Sequence, residues 1–468
     1  MLARIALLLV AAAVAAPAAA GDRGGASPPP GRCGTQHPAG ANCPAAPLLY
    51  LSPTGSDAGP CTVAAPCASF DHAYETATPG THVELEPGTY PGQTVGVDAS
   101  KLDAPADVVF EPLPGAGVAL DGDLVVYGSH LVFRDFRLHK LVSQGTAGPA
   151  TSHDVVFEDL HGESFDIGPN YEITLKGGDW GPSLACYPEG SDHPPATWCP
   201  SWSPYALTGN YGNNGDWENH IGPDGTIPNQ WPRQILIDGT RIHDQNSTDL
   251  DAMHTGGLFL ISGGEITIRN TIFQQDAVYD LQVQDFSNPD CCGMTFGPVH
   301  DVVLENNWFE APVRGVNDPG GDSFDDQQPE VQLDPRHGAC WSNWLIRFNS
   351  FTNGLALGFD GEPCFDNVRV VGNVGGVPGW QCFAGAPGLT WEYNAWTGGT
   401  CGGSTDIAIP SLPYVDARIG HENYHLRGDS PAIDLVPGSD DDQRLATDID
   451  GQSRPRGSGW DAGSDELR

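Results

Sequence analysis

Hydrogen-bonding side chains recur in two short runs, residues 280–284 (DLQVQ) and 330–334 (EVQLD). Successive side chains of a β-strand point to opposite faces, so the Leu and Val residues face the interior and the polar residues face outward. The outward positions are Asp280, Gln282, Gln284, Glu330, Gln332 and Asp334. Because amides and carboxylates together donate and accept hydrogen bonds, this set suits the hydroxyl groups of a polysaccharide or oligosaccharide. The substrate contacts predicted on this basis are Gln282, Gln284, Gln332 and Asp334. The alternative is an ordinary solvated sheet face, which is also polar.

Asp280 and Glu330 occupy equivalent positions in the two runs. A pair of carboxylates is the usual catalytic apparatus of glycoside hydrolysis, in which one acts as the acid and the other as the base. Carboxylate oxygens are also the ligands that Ca²⁺ prefers. We therefore predict that the pair takes part in catalysis or holds Ca²⁺ as a cofactor. The alternative is a plain polar ladder, in which like charges repel unless a cation or a proton lies between them.

Two further side chains close to these runs can transfer protons or bind anions. His254 follows Asp251 in the sequence DLDAMHTGG, directly before an apolar run. A loop histidine beside carboxylates can act as a general base or contact substrate, and Asp251 would then be a further substrate contact. The alternative is an Asp-to-backbone turn on which the histidine packs. Arg336 follows Asp334 and pairs either with a substrate carboxylate or with Asp334 itself.

The elements that must position these side chains are short repeated strands. An apolar triplet followed by a charged residue recurs along the chain as LVFRD, VVFED, ITLKG, ILIDG, ITIRN, VVLEN and WLIRF. Runs of this length, rich in β-branched residues and bounded by Gly, Asn or Asp, are typical of strands. Their repetition at intervals of a few tens of residues predicts a solenoid.

The charged residue of each repeat alternates in sign along the chain: Arg134, Glu158, Lys176, Asp238, Arg269, Glu305 and Arg347. Neighbouring strands of a parallel stack lie about 4.8 Å apart, so opposite charges pair and like charges repel. The alternation therefore predicts that the coils stack in sequence order and in register, and it gives Lys176 a structural role.

Two other columns of the same alignment predict how the coils turn and pack. Gly239, Asn270 and Asn306 come one position after the charged residue, where they suit a turn, and stacked asparagines can form ladders. Three phenylalanines at equivalent positions are predicted to stack inside the coil: Phe273, Phe309 and Phe351.

A short helix is predicted near the start of the folded region. Apolar residues fall on one helical face at positions 70, 73, 74 and 77, with Ser69 as the N-cap and Gly80 as the end. A helix at this place can cover the open end of a strand stack, which otherwise exposes strand edges and apolar interior.

The sequence around this helix, with the pattern Y-x-S-P-x-G-S-D … F-x-x-A … P-G-x-x-V-x-L-x-P-G-x-Y in residues 50–90, resembles the N-terminal region of secreted proteins of the pectin-lyase-like superfamily. Residues 430–466 (SPAIDLVPGSDDDQRLATDIDGQSRPRGSGWDAGSDE) resemble the closing segment of many bacterial members. The resemblance spans residues 49–466 and implies an all-β, right-handed parallel β-helix (solenoid) with an N-terminal capping helix and long loop insertions. It is specific for fold and not for activity, because the superfamily includes lyases, hydrolases, epimerases and adhesins.

Among the activities that the resemblance allows, we favour a polysaccharide lyase acting on a uronate-containing polysaccharide. In that reaction Ca²⁺ or Arg336 would neutralise the uronate carboxylate, and His254 or Arg336 would take the neighbouring proton. A hydrolase, with Asp280 and Glu330 as acid and base, comes second, and a non-catalytic carbohydrate-binding or surface protein is the third interpretation. Lyases of this superfamily often use Lys or Arg as the base, but the place of Lys176 in the charge column favours a structural role. No complete catalytic signature of the superfamily is present.

Charge and the N-terminal sequence bear on partners and localisation. The 468 residues include 21 Lys+Arg and 60 Asp+Glu, a net charge of −39, which disfavours nucleic acid and anionic membranes as partners. Residues 1–20 carry Arg4, an apolar stretch and a final Ala-Ala-Ala, the pattern of a secretory signal peptide. We expect a secreted, extracellular protein that is a monomer.

The cysteines are even in number, 12 in all, as in proteins of oxidising compartments. Close spacing suggests the disulfides Cys33–Cys43, Cys61–Cys67, Cys186–Cys199, Cys340–Cys364 and Cys382–Cys401, and leaves Cys291 and Cys292.

We predict a signal peptide over 1–20, a Pro/Gly-rich linker over 21–47 and one β-helix domain over 48–468. The domain contains an insertion at 181–232 and a closing segment at 403–468. The insertion is rich in tryptophan, including Trp198, Trp202, Trp217 and Trp231. These rings either stack on sugars bound to the polar face of residues 280–284 and 330–334, or pack against one another and hold the insertion itself folded.

Overall fold

The structure is a computed structural model. It describes residues 47–145, 152–186, 190, 195, 219–221, 232–247, 256–276, 279–284, 299–310, 331–334, 340–357, 364–376, 382–418, 421–438 and 445–467. The predicted signal peptide, nearly all of the predicted linker and most of the insertion at 181–232, with its four tryptophans, lie outside these residues. Residues 47–468 form one unit by their internal contacts.

Most strands of the described residues are parallel and belong to three sheets, numbered here 1 to 3. Sheet 1 has twelve strands, in the order Leu48–Leu51, His82–Leu85, Val108–Pro112, Leu131–Arg134, His153–Glu158, Tyr171–Lys176, Arg233–Asp238, Gly263–Arg269, Val299–Glu305, Cys340–Arg347, Cys364–Val371 and Leu389–Glu392. Sheet 2 has nine short strands, His161–Gly162, Asp179–Trp180, Arg241–His243, Ile272–Gln274, Trp308–Phe309, Ser350–Phe351, Val374–Gly375, Ala395–Thr397 and Ile407–Ile409. Sheet 3 has nine strands, Gly88–Val95, Val118–Val126, Lys140–Ser143, Ser164–Ile167, Asn219–Ile221, Leu258–Leu260, Leu281–Gln284, Val331–Asp334 and Leu355–Leu357.

The central coils of the chain visit the three sheets in turn, whereas among the described residues the first coils have strands only in sheets 1 and 3 and the last only in sheets 1 and 2. The strand Gly263–Arg269 of sheet 1, for example, is followed by Ile272–Gln274 in sheet 2 and Leu281–Gln284 in sheet 3. Every strand then pairs in parallel with its equivalent in the next coil, so the sequence order of the coils is also their order in the stack. This is the parallel β-helix that the repeats predict. No helix in the described part of the chain is long and apolar enough to cross a membrane.

The column of alternating charges is confirmed as a ladder along sheet 1. Its seven members pair in register from Arg134 to Arg347. Ion pairs join Arg134 Nε to Glu158 Oε2 at 2.7 Å and Lys176 Nζ to Glu158 Oε1 at 2.8 Å. Further along, Arg347 reaches Glu305 at 2.6 Å. The hydrogen bond from Lys176 lowers the pKa of Glu158 below its ordinary value. The register of the coils is therefore supported by charge as well as by backbone hydrogen bonds.

The predicted turn residues adopt the left-handed conformation at the end of sheet 1. Gly239, Asn270 and Asn306 have φ values of 70°, 52° and 60°. Their amides form a short ladder, because Asn306 Nδ2 donates to Asn270 Oδ1 at 2.6 Å and Asn270 Nδ2 donates to Asp238 Oδ1 at 2.7 Å.

A second asparagine ladder, one residue further along each coil, was not predicted. It contains the fully buried residues Asn307, Asn349, Asn373 and Asn394. The side chains of the last three each accept a hydrogen bond from the backbone N–H of the preceding member, and that of Asn307 accepts from the backbone N–H of Thr271. All four side chains donate to a carbonyl of sheet 1. These bonds satisfy backbone groups that the turn removes from the sheet and buries.

Stacked aromatic rings pack the interior of the coils, and one of these stacks was predicted. Phe273, Phe309 and Phe351 lie at 4.9 Å and 5.1 Å centroid spacing with nearly parallel planes. Nearer the N-terminus a second stack, not predicted, joins Phe110 and Phe133 at 5.2 Å. Stacking at strand spacing keeps each ring against its equivalent in the next coil.

The capping helix is confirmed, and its end is corrected. It spans Phe70–Thr76, and the Ser69 hydroxyl accepts from the backbone N–H of His72 at 3.2 Å. The helix ends at Thr76 rather than near Gly80, because Thr78 precedes Pro79 and a residue before proline disfavours the helical conformation. Phe70 stacks on Phe110 at 5.0 Å and so closes this end of the core.

The closing segment folds into small antiparallel pairs. Tyr414–Asp416 pairs with Asn423–Leu426, and Val436–Pro437 pairs with Gly459–Trp460. Arg454 is buried here and donates to the Gly463 carbonyl at 2.7 Å and to Asn306 Oδ1 at 3.2 Å. This guanidinium therefore attaches the closing segment to a turn of the β-helix.

Three of the predicted disulfides are confirmed, Cys61–Cys67, Cys340–Cys364 and Cys382–Cys401. Cys186 is also disulfide-bonded. The other five cysteines named above fall outside the described ranges.

Candidate functional site

Sheet 3 brings the two polar runs together as neighbouring strands. Gln282 is in register with Gln332, and Gln284 is in register with Asp334. On either side the row continues from Gln282 to Phe259 and from Gln332 to Ala356. The predicted pairing of the two runs is confirmed at the level of the backbone.

The insertion contributes a strand to the same face. Asn219–Ile221 lies between Ser164–Ile167 and Leu258–Leu260, and His220 is in register with Asp166 on one side and Phe259 on the other. The sequence did not reveal this strand, since Asn-His-Ile has one apolar residue and lies in a Gly/Pro-rich stretch. One row of sheet 3 thus reads Asp166, His220, Phe259, Gln282, Gln332 and Ala356.

Asp280 is fully buried, which differs from the exposed outward position that alternation predicts. The reason is that the strand begins at Leu281, so Asp280 lies before the regular alternation. Its carbonyl accepts from the backbone N–H of Leu258 at 2.9 Å, and this bond connects Asp280 to the first residue of the neighbouring strand. Gln282 is also largely buried, at 7 % exposure. The roles of Asp280 in catalysis and in Ca²⁺ binding stay predictions.

Several predicted site residues fall outside the described residues, namely Asp251, His254, Glu330 and Arg336. For Gln284, Gln332 and Asp334 the structure describes the strand and not the side chain. Their predicted roles are unchanged.

A buried polar group supports the corner between sheets 2 and 3. Asp276 is fully buried, and its Oδ1 accepts from the backbone N–H of Gln245 at 3.0 Å. Burial raises the pKa of Asp276 well above its ordinary value. A Cβ at Gly257 would lie 2.3 Å from Asp276 Oδ2, so only glycine fits beside this carboxyl. Gln245 Nε2 donates to the Glu163 carbonyl at 3.0 Å, which ties this corner to the start of the strand Ser164–Ile167.

Glu163, at the same corner, is an acid–base candidate that the sequence did not reveal. Burial raises the pKa of its carboxyl to about 7, and the charge of Asp123 contributes in the same direction. A carboxyl with this pKa can hold or release a proton near neutral pH, as general acids and bases must. The position of Glu163 directly before a strand of sheet 3 was readable from the sequence, but its burial was not.

Replacing Glu163 with Gln is expected to remove part of the pH dependence of stability. The unfolded carboxyl titrates near 4.5 and the folded one near 7, so between these values the folded state holds a proton that the unfolded state has released. Stability from this group is therefore present below 4.5 and is lost as the pH rises to about 7. Melting temperatures of the two proteins should agree at the acidic end, and Glu163→Gln should be the more stable above neutrality.

Asp123→Asn provides the control for this prediction. It removes the charge that adds to the effect of burial in raising the pKa of Glu163, and it should shift part of the loss of stability to lower pH. Parallel melting curves for the wild type and Glu163→Gln at every pH would contradict the assignment.

No protein-family model matches the chain, and no curated protein matches it. Among solved structures, the chain is similar to pectate lyase Pel9A with a TM-score of 0.44 and 13% identity, over 90% of this chain and 96% of that chain. The chain is also similar to a rhamnogalacturonan lyase, with a TM-score of 0.39 and 12% identity over 82% of this chain and 97% of that chain. The similarity to XylC in complex with xylose has a TM-score of 0.41 and 10% identity, over 90% of this chain and 98% of that chain. These similarities concern the path of the chain and carry no information about activity.

Proposed function

We propose that this protein is a secreted, monomeric, carbohydrate-active β-helix protein that binds a polysaccharide along sheet 3 and cleaves it as a lyase. The observation that carries the proposal is the register of Gln282 with Gln332 and of Gln284 with Asp334. Strands of a parallel sheet repeat about every 4.8 Å, so equivalent polar positions form rows along the stack. An extended ligand with many hydroxyl groups matches rows of amides and carboxylates.

The reaction we propose is β-elimination on a uronate-containing chain. A base removes the proton next to the uronate carboxylate, the electron pair forms a carbon–carbon double bond, and the glycosidic oxygen leaves. His254 or Arg336 would take the proton, and Arg336 would alternatively pair with the carboxylate and acidify the neighbouring C–H.

A divalent cation would favour this reaction on an acidic protein. With a net charge of −39 the protein repels an anionic polysaccharide, and a bound cation offsets that repulsion. Asp280 and Glu330 would hold Ca²⁺, whose charge would neutralise the uronate carboxylate.

Glycoside hydrolysis is the second candidate, and Glu163 favours it. The general acid of a hydrolase must stay protonated near neutral pH, and the pKa of Glu163 is about 7. In this reaction the acid protonates the leaving oxygen while a second carboxylate activates water or attacks the sugar.

A panel of neutral and uronate-containing polysaccharides, incubated with the full chain with and without EDTA, separates these activities. We expect a rise in ultraviolet absorbance from the unsaturated product on a uronate polysaccharide, reduced by EDTA. New reducing ends without that absorbance would show that the protein is a hydrolase rather than a lyase. In that case Glu163→Gln should abolish the formation of reducing ends. Binding without either product would leave a non-catalytic carbohydrate-binding protein, and no binding at all would overturn the proposal.

A further inference from the structure

Three metal-ligating side chains converge in the closing segment, outside sheet 3. One ligand atom each from His425, Asp450 and Asp465 lies within 4.8 Å of the other two. His425 belongs to the strand Asn423–Leu426, whereas the two aspartates belong to the segment 445–467. The cluster therefore joins two parts of the chain that are distant in sequence.

The hydrogen bonds around His425 fix which ring nitrogen faces the carboxylates. Asn423 Oδ1 accepts from the backbone N–H of His425 at 3.2 Å, which identifies that atom as the amide oxygen. The same oxygen lies 2.5 Å from His425 Nδ1, so Nδ1 carries the ring proton. In the neutral ring, Nε2 then presents its lone pair to Asp450 Oδ2 at 2.7 Å. Either a second ring proton, as in an ordinary His–Asp ion pair, or a metal ion bound to both residues satisfies these two atoms.

The two carboxylates are held in place by backbone and side-chain donors. Asp465 is 3 % exposed, and its Oδ2 accepts from the backbone N–H of Leu426 at 2.8 Å. Asp450 is held through Gln452, whose Nε2 donates to Asp450 Oδ2 at 3.2 Å. Gln452 itself is fixed because its backbone N–H donates to Asp448 Oδ1 at 2.7 Å.

A cavity of about 260 Å³ opens beside the cluster and gives room for water ligands. Its lining includes the three ligand residues together with Gln452, Glu466 and Leu467.

We propose that His425, Asp450 and Asp465 bind a divalent transition-metal ion such as Zn²⁺, with water from the cavity completing its coordination. An imidazole with two carboxylates suits Zn²⁺, whereas Ca²⁺ takes six to eight oxygen ligands. The contact from His425 Nδ1 to Asn423 is the outer-shell bond that metal-binding histidines characteristically make. Bound metal ties the strand Asn423–Leu426 to the segment 445–467 and stabilises the closing segment.

A second group with a similar ring arrangement gives the matched control. His130 Nδ1 lies 2.9 Å from Asp154 and 3.5 Å from Asp107, and its Nε2 lies 3.2 Å from the Leu102 carbonyl. Both of its carboxylates are partly exposed, at 44 % and 34 %, and water can solvate them, whereas Asp465 of the proposed site is buried at 3 % exposure. His130→Ala therefore removes a comparable histidine without touching the proposed site.

Calorimetric titration of the EDTA-treated full chain with Zn²⁺ tests the proposal, with thermal unfolding as a second readout. We expect Zn²⁺ to bind and to raise the melting temperature, and Ca²⁺ at the same concentration to have little effect. His425→Ala should lose this binding, and His130→Ala should keep it. Asn423→Ala keeps all three ligands and should bind about tenfold more weakly or worse.

Asp450→Asn tests the site with little disturbance of the fold, because Asp450 is partly exposed and the substitution replaces one carboxylate oxygen by an amide nitrogen. Its melting temperature without metal should match the wild type, while the rise caused by Zn²⁺ should be lost. Equal Zn²⁺ binding by Asp450→Asn, His425→Ala and the wild type would overturn the proposal, as would loss of the binding only in His130→Ala. Neither readout depends on the activity proposed for sheet 3.

Discussion

Replacing Asn349 with Ala is expected to lower the free energy of unfolding by about 3–5 kcal/mol. The side chain is fully buried, and its Oδ1 accepts from both the backbone N–H and the Nδ2 of Asn307 at 3.0 Å. Its Nδ2 donates to the Leu304 carbonyl at 2.9 Å and to Asn373 Oδ1 at 3.0 Å. Alanine leaves buried donors and acceptors in two neighbouring coils without partners, and each costs about 1–3 kcal/mol. Urea denaturation followed by circular dichroism measures the loss.

An exposed ladder on the same molecule provides the matched control. Asn343 Nδ2 donates to Asp301 Oδ1 at 2.8 Å, and Asn343 Oδ1 accepts from Asn367 at 2.9 Å. Because Asn343 has a φ of 57°, glycine is the substitution that removes the side chain without backbone strain. Asn343→Gly should cost less than about 1 kcal/mol, since water replaces the lost partners. Equal losses in the two variants would show that burial does not set the strength of these ladders.

The double variant Gln282→Ala, Gln332→Ala is expected to weaken oligosaccharide binding strongly while leaving the fold intact. The two residues are adjacent in register on sheet 3, and each substitution removes a donor and an acceptor from the row. At about 1 kcal/mol for each ordinary hydrogen bond, the loss of one bond at each position weakens binding about 30-fold. The probe is an oligosaccharide of whichever polysaccharide the panel identifies, titrated calorimetrically.

Gln274→Ala is the control for this pair, because Gln274 lies on sheet 2 and its side chain accepts from Arg241 Nε at 2.8 Å. It removes a glutamine from another face and should leave the affinity unchanged. Melting temperatures of all variants establish that each is folded, which matters because Gln282 is largely buried. Unchanged affinity in a folded double variant would rule out this face.

The periodic features of the fold could be predicted because each coil repeats the same physical demands. The alternation from Arg134 to Arg347 and the stacking of Phe273, Phe309 and Phe351 depend only on which residues are equivalent. The buried asparagine ladder was harder to see, because its column changes character along the chain. The same position holds Phe136 and Leu160 in early coils and asparagine only from Asn307 onward.

Only those parts of the candidate site that follow the two-residue alternation of a β-strand could be predicted from the sequence. The register of Gln282 with Gln332 follows from alternation, whereas the burial of Asp280 depends on where the strand begins. The strand Asn219–Ile221 depends on tertiary pairing with Leu258–Leu260, which no local pattern in the insertion encodes. The pKa of Glu163 depends on removal of its carboxyl from water, a property of the packed corner.

The charge ladder of sheet 1 limits how a chain of this kind can change length. Removing the coil that contains Glu158 would place Arg134 next to Lys176, and removing the coil of Asp238 would place Lys176 next to Arg269. Removing two successive coils instead restores a neighbour of opposite sign, and the same holds for duplications. The ladder thus imposes a parity rule on the repeat number: gain or loss of coils in pairs preserves the pairing of charges, and gain or loss of a single coil does not.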